Sequence, residues 1–133
     1  MALKEVEIPS TVRSLGREVF YNCDGLESVV IPEGVSSLPD HAFDECRQLR
    51  EIILPESLTY IGNSALRYAA IEEVNIPDNV TVIAWHAFQD CRQLVRADLP
   101  SRLEKIYSNG FQNCSSLEQI LSLIHISEPT RPY

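Results

Sequence analysis

An α/β solenoid is the fold this sequence predicts, a right-handed coil with a parallel β-sheet on one side and short helices on the other. Three observations carry that expectation. The chain repeats itself at a nearly fixed interval; each repeat opens on a short alternating segment closed by proline; and each repeat then spaces its apolar residues like one face of a short helix.

The interval comes first, because a period of about 20 to 50 residues decides an architecture before local propensity does. A proline follows an aliphatic residue at Pro9, Pro32, Pro55, Pro77 and Pro100, in steps of 23, 23, 22 and 23. Leu15, Leu38, Ile61, Ile83 and Ile106 keep those steps, as do Phe20, Phe43, Leu66, Phe88 and Phe111. Leu3, Leu26, Leu49, Ile71, Leu94 and Leu117 open successive units. Five units of 22 to 23 residues therefore run from Leu3 to Ser116, a sixth begins at Leu117, and residues 1–120 form one repeat domain.

Within a unit the first element is a short strand. Val29-Val30-Ile31 alternates with a period of two, placing its outer side chains on one face. Pro32 then removes a backbone donor and ends the ladder, so the strand spans only a few residues. The following pair, Glu33-Gly34 here and Asp78-Asn79 or Ser10-Thr11 elsewhere, suits a tight turn with proline at its second position. "VSSLP" from Val35 and "LTYIG" from Leu58 are expected to form a second extended piece. The last element is a helix, since Leu38, Ala42, Phe43, Cys46 and Leu49 fall at offsets 0, 4, 5, 8 and 11. One coil presents about eight apolar side chains and cannot bury them alone, so the units must stack. Each large side chain covered in this way contributes roughly 1.5 to 3 kcal/mol.

The stretch "IPEGVSSLPDHAFDECRQLREIILP", Ile31 to Pro55, resembles the signature "IP..V..IG..AF..C..L..I.IP" of BspA-like, or Treponema-type, leucine-rich repeats. The resemblance covers Leu3 to Ile120, with five units in phase. It implies a leucine-rich-repeat coil from a long surface or secreted protein, used in adhesion and protein binding rather than catalysis. Departures from the pattern are informative. Gly16 and Gly62 keep the signature glycine, but Pro39, Ala84 and Tyr107 occupy the same slot, and proline is confined to negative φ, so that slot does not demand a left-handed backbone. The third unit has Leu66 for phenylalanine, Ala69 for cysteine and one residue fewer before Ile71, and a thin, less stable coil is expected there.

The sixth unit keeps register through Ile120 and then loses it. From Leu121 to Arg131 the peptide "LSLIHISEPTR" resembles the translation of a transposase sequencing adapter, so residues 121–133 are expected to be a non-native tail and His125 receives no role. On this reading the chain is a fragment whose natural sequence continues past Ile120.

The 133 residues carry a net charge of -8 and no cluster of lysine and arginine, which disfavours nucleic acid and anionic membrane as partners. No stretch has the apolar length of a membrane span, and "MALKEVEIPS" lacks the basic start and apolar run of a secretory signal. Compartment is therefore implied by the resemblance alone.

Four cysteines, Cys23, Cys46, Cys91 and Cys114, share one slot of the repeat, and Ala69 fills it in the third unit. A small buried position tolerates that exchange; a zinc site does not, and the spacing of metal-binding pairs is missing. Buried free thiols are expected, with Cys23–Cys46 or Cys91–Cys114 disulfides as the alternative. His41 and His86 lie two coils apart, while His86 and Asp90 would meet one helical turn apart. No nucleophile joins them. No residues are assigned to a metal or a cofactor.

The front strands present seven acids against three bases outside the core positions, with apolar Val30 and Ile53 adjacent. The candidate binding surface is Glu7, Val30, Glu51, Ile53, Glu73, Asn75, Arg96 and Asp98, an apolar centre with a polar surround suited to a protein partner bearing a basic patch. Structural spacer repeats at a cell surface are the alternative use. A third reading pairs Glu51 and Glu73 on neighbouring strands, about 4.8 Å apart, as the carboxylates of a hydrolase. That reading requires a deep pocket around the pair.

Overall fold

The computed structural model describes residues 4–107, 109–117 and 119–122. Each coil supplies a front strand and, after a turn, a shorter back strand. The front strands are β1 (Glu5–Glu7), β2 (Ser28–Val30), β4 (Glu51–Ile53), β6 (Glu73–Asn75), β8 (Arg96–Leu99) and β10 (Gln119–Ser122). The back strands are β3 (Ser37–Leu38), β5 (Tyr60–Ile61), β7 (Val82–Ile83) and β9 (Lys105–Ile106). Every pairing is parallel and joins consecutive coils. The back strands form one four-stranded sheet, whereas the front divides into β1-β2-β4 and β6-β8-β10. The second extended piece thus exists. The front strand of the last coil runs two residues beyond Ile120, with Leu121 opposite Asp98 and Ser122 opposite Leu99, and residues 123–133 lie outside the described part.

Proline ends each front strand, but it opens the turn rather than sitting second in it. The carbonyls of Pro9, Pro32, Pro55, Pro77 and Pro100 each accept an N–H from three residues on, at 3.0, 3.4, 3.1, 3.1 and 3.3 Å. The ring abolishes a ladder donor while the carbonyl remains free to start the turn.

The expected helices are absent among the described residues, and tight turns take their place. Ala42 donates to the Pro39 carbonyl at 3.2 Å, Cys46 to Phe43 at 3.2 Å and Leu49 to Cys46 at 3.1 Å. His41 (φ 59°) and Glu45 (φ 63°) stand third in the first two of these turns, where type II geometry needs positive φ. Glu18 and Asn22, Ser64 and Tyr68, His86 and Asp90, and Asn109 and Asn113 repeat the device in the other coils. A four-residue turn returns an apolar side chain to the interior at the same offsets as a helix, so the spacing alone cannot separate the two. Six of these ten residues are Asn, Asp or His, the side chains best suited to that backbone, and this is the signal that does separate them.

Turns leave alternate N–H groups pointing along the solenoid axis, and the next coil accepts them. Phe20 donates to Ala42 at 2.9 Å, Phe43 to Ala65 at 2.8 Å, Leu66 to Ala87 at 2.8 Å and Phe88 to Gly110 at 2.7 Å. This ladder aligns Phe20, Phe43, Leu66, Phe88 and Phe111 in one internal column. The Phe20 and Phe43 rings stack at 5.2 Å and those of Phe88 and Phe111 at 5.0 Å, with Leu66 between the two pairs. The small residues Ala42, Ala65, Ala87 and Gly110 let the backbones approach, and a Cβ on Gly110 would meet Ile106 at 2.8 Å. Gly62 is also required for space: its Cβ would fall 2.7 Å from the Leu38 carbonyl oxygen, although the residue has no positive φ.

The third unit keeps Leu66 and Ala69 fully buried, and its missing residue acts on the front sheet instead. In neighbouring coils the residue after the opening leucine donates to its counterpart one coil back, as Arg50 does to Glu27 at 2.9 Å and Val95 to Glu72 at 2.7 Å. Here Ala70, one position before Ile71, donates to Leu49 at 2.8 Å. The slip leaves β4 and β6 unpaired. Ile52 is then partly exposed, while Val29, Val74 and Ala97 in the same slot are buried.

A buried carboxylate ties the second and third coils together on the turn side. Asp44 is fully enclosed and accepts from Arg67 Nε at 2.8 Å and from Arg67 at its other oxygen at 2.9 Å, with His41 Nδ1 at 2.8 Å.

Leu66→Ala empties the middle of the column, and chemical denaturation is expected to show a loss of about 2 to 5 kcal/mol. Asp44→Ala is expected to cost about 2 to 3 kcal/mol, less than for a wholly enclosed pair because solvent reaches the Arg67 guanidinium.

Candidate functional site

The front strands bring the candidate residues to one face, but in two groups. Register sets Glu5, Ser28 and Glu51 in one row and Glu7, Val30 and Ile53 in the next. Beyond the break, Glu73 lies opposite Arg96 and Asn75 opposite Asp98. Period-two alternation explains the outward side chains: in β2 and β6 the central valine is buried and the residue after it is exposed. Val30 and Ile53 are 55% and 51% exposed, side by side, which for two aliphatic residues of a strand is a patch rather than an isolated exception.

Glu51 and Glu73 do not stack on hydrogen-bonded neighbours. They occupy β4 and β6, the two strands that the short third unit separates, so the expected 4.8 Å relation is not formed. Between them lies a shallow, open groove of about 500 Å³, bordered by Arg50, Ile53, Glu72 and Asn75 and floored by Ile52 and Val74. A groove of this form does not provide the enclosed site that the hydrolase reading required. Arg96 Nε donates to Asp98 at 3.1 Å, so two of the eight candidate residues neutralise each other. Glu5, Glu7, Glu51, Glu72 and Glu73 are exposed and make no side-chain ion pair among the described residues, which leaves the face acidic.

The cysteines form a column beside the phenylalanines. Cys46 donates its S–H to the Phe20 carbonyl at 3.0 Å, Cys91 to Leu66 at 3.2 Å and Cys114 to Phe88 at 3.1 Å, and all four sulfurs are free thiols. Burial pushes the Cys46 thiol up to about 12 and also raises Cys91. Cys114 is held below the ordinary thiol value, chiefly because the Cys91 S–H, by turning from the Leu66 carbonyl, can hydrogen-bond the Cys114 thiolate. Among the described residues no group of three or more His, Cys, Asp or Glu side chains is gathered to hold a metal ion.

Without a helix, His86 and Asp90 do not pair. Asp90 accepts from Arg92 at 2.9 Å, and the buried Nδ1 of His86 has no partner among the described residues. His125 lies outside the described residues.

One surface feature escaped the sequence reading. Trp85 is 46% exposed and stacks on Tyr107 at 5.4 Å, with Lys105 Nζ 4.5 Å from the Tyr107 ring centre. Tyr60, also exposed, shares the outward row of the back sheet with Val82 and Lys105. The signal was in the repeat: Trp85 and Tyr107 sit in adjacent slots of consecutive units, two residues past Ile83 and one past Ile106, where the neighbouring coils carry no aromatic side chain.

Comparison with known proteins places this geometry. The model of the BspA type leucine rich repeat region matches residues 1–122 in six copies. A leucine-rich repeat protein from Bacteroides ovatus is 30% identical over 89% of this chain and 37% of its own, with a TM-score of 0.70. The Treponema pallidum leucine rich repeat protein is 29% identical over 88% of this chain and 57% of its own, with a TM-score of 0.85. The pneumococcal vaccine antigen PcpA shares the fold, at 20% identity over 95% of this chain and 32% of its own, with a TM-score of 0.80. The chain thus spans less than two thirds of each of these proteins. No curated protein matches it. A parallel solenoid of turns and short strands, repeated on a period of 22 to 23 residues and matched over nearly its whole described length, belongs to the BspA-type leucine-rich repeat family.

Proposed function

We propose that this chain is a non-enzymatic protein-recognition module that binds through its front sheet. The observation that carries the reading is the Val30–Ile53 pair, two exposed aliphatic side chains in register, with Glu7 and Glu51 beside them in β1 and β4. An apolar centre inside a charged surround excludes water where contact is made and confines charge to the rim. The unpaired carboxylates on both sides of the break favour a partner with a basic patch. Glu73, Asn75, Arg96 and Asp98 extend the surface along the second sheet. The family resemblance supports a role in adhesion as part of a longer protein displayed at the cell surface.

Partners recovered by cross-linking to the purified chain provide the test. Val30→Glu with Ile53→Glu is expected to weaken binding at least tenfold, mainly through faster dissociation, with thermal stability unchanged because both side chains already face water. Glu51→Lys with Glu73→Lys is expected to slow association and flatten its dependence on salt. Folded variants that bind with unaltered rates would remove the front face as the binding surface and leave the repeats as a spacer.

A further inference from the structure

The cysteine column is interrupted at Ala69, which isolates its members as two pairs. Cys46 has a cysteine only in the first coil, Cys91 only in the fifth. Around the second pair the coils are in close register: Phe88 donates to Gly110 at 2.7 Å, Asp90 to Gln112 at 2.8 Å, and the Phe88 and Phe111 rings stack at 5.0 Å. Backbones on such a ladder lie about 4.8 Å apart, inside the roughly 4.4 to 6.8 Å that a disulfide spans between Cα atoms. Cys114 Sγ points back to the fourth coil, where it reaches the Phe88 carbonyl, and it is partly exposed, whereas Cys91 is enclosed.

We propose that Cys91 and Cys114 form a redox-sensitive pair, which a peroxide converts to a disulfide stapling the fourth coil to the fifth. The Cys114 thiolate attacks one peroxide oxygen; the O–O bond breaks, and the departing hydroxide takes up a proton to become water. Cys114 is now a sulfenic acid. Cys91 rotates away from the Leu66 carbonyl and its sulfur attacks that of Cys114, forming the S–S bond as the hydroxyl leaves with the Cys91 proton as a second water. Two thiols lose two electrons and the peroxide gains them. Rotation orphans nothing, because the Leu66 carbonyl keeps the Ala69 N–H at 3.1 Å and the Phe88 carbonyl keeps the Cys91 N–H at 3.3 Å. The direction of the shift at Cys114 agrees with its role as the attacking thiol. The Cys23–Cys46 pair is the internal control, since the sulfur aimed at its partner there is the buried, weakly acidic Cys46.

The test treats the reduced protein with hydrogen peroxide, alkylates it under denaturing conditions and maps the peptides by mass. The expected result is a Cys91–Cys114 cross-link, lighter by two hydrogens, that forms several-fold faster than Cys23–Cys46. Cys91→Ala places in the fourth coil the residue that Ala69 already supplies in the third, so the variant retains the fold, and a dimedone-type reagent should then label Cys114 far more than in the parent. Equal labelling of parent and variant, accumulation of Cys114 as sulfinic acid in the parent, or earlier closure of Cys23–Cys46 would overturn the proposal.

Discussion

The structure depends on hydrogen bonds that run along the solenoid axis instead of within a segment. A helix would satisfy most of its N–H groups internally; the turn runs here cannot. Phe43 gives its N–H to Ala65 and Leu66 gives its N–H to Ala87, so each coil completes the backbone of the one before it. The repeat length follows from that dependence. A donor finds its acceptor only if the chain returns to the same slot, which 22 or 23 residues accomplish. Strict backbone register then allows the side chains to be simple: rings or leucine in one column, thiols or alanine in another, and alanine or glycine where backbones approach.

Most of this was legible because buried slots repeat and surface slots do not. The period, the front strands, the back strands and the inward positions all follow from apolar residues that recur in phase. Leu38, Ala42, Phe43, Cys46 and Leu49 are buried as their spacing required. What the spacing could not give was the backbone that satisfies it. Two type II turns and a short helix return side chains at the same intervals, and only the Asn, Asp and His residues placed where φ is positive, such as Asn22, His41 and Asp90, mark the difference. The inferred pairing of His86 with Asp90 failed with the helix it presupposed. Proline's place at the start of the turn was illegible for a related reason: the ring removes a donor, which a sequence shows, while the carbonyl that opens the turn is common to every residue.

The candidate surface was legible as a set of outward positions and illegible as a shape. Val30 and Ile53 were recognised as neighbours, and register places them so. Glu51 and Glu73 were given the same relation by counting, but the single residue missing before Ile71 shifts the backbone bond to Ala70 and opens the front sheet between them. A one-residue deletion, read in sequence as a weak coil, is in three dimensions a boundary on the front face. It divides that face into an apolar-centred patch on β1-β2-β4 and a polar one on β6-β8-β10, with a groove between. The continuous back sheet holds the two halves together.

Amide hydrogen exchange tests the axial dependence most directly. If coils complete one another, the N–H groups of Phe43, Leu66 and Phe88 are slow to exchange and share one opening free energy, and Ile31 and Ile76, bonded to Ile53 at 2.9 Å and Asp98 at 3.0 Å, are slow as well. Leu54, at the break, has no backbone acceptor among the described residues and exchanges faster than both. Fast, unequal exchange at Phe43, Leu66 and Phe88, at the rates of exposed turns, would mean that each coil stands alone and would contradict the account.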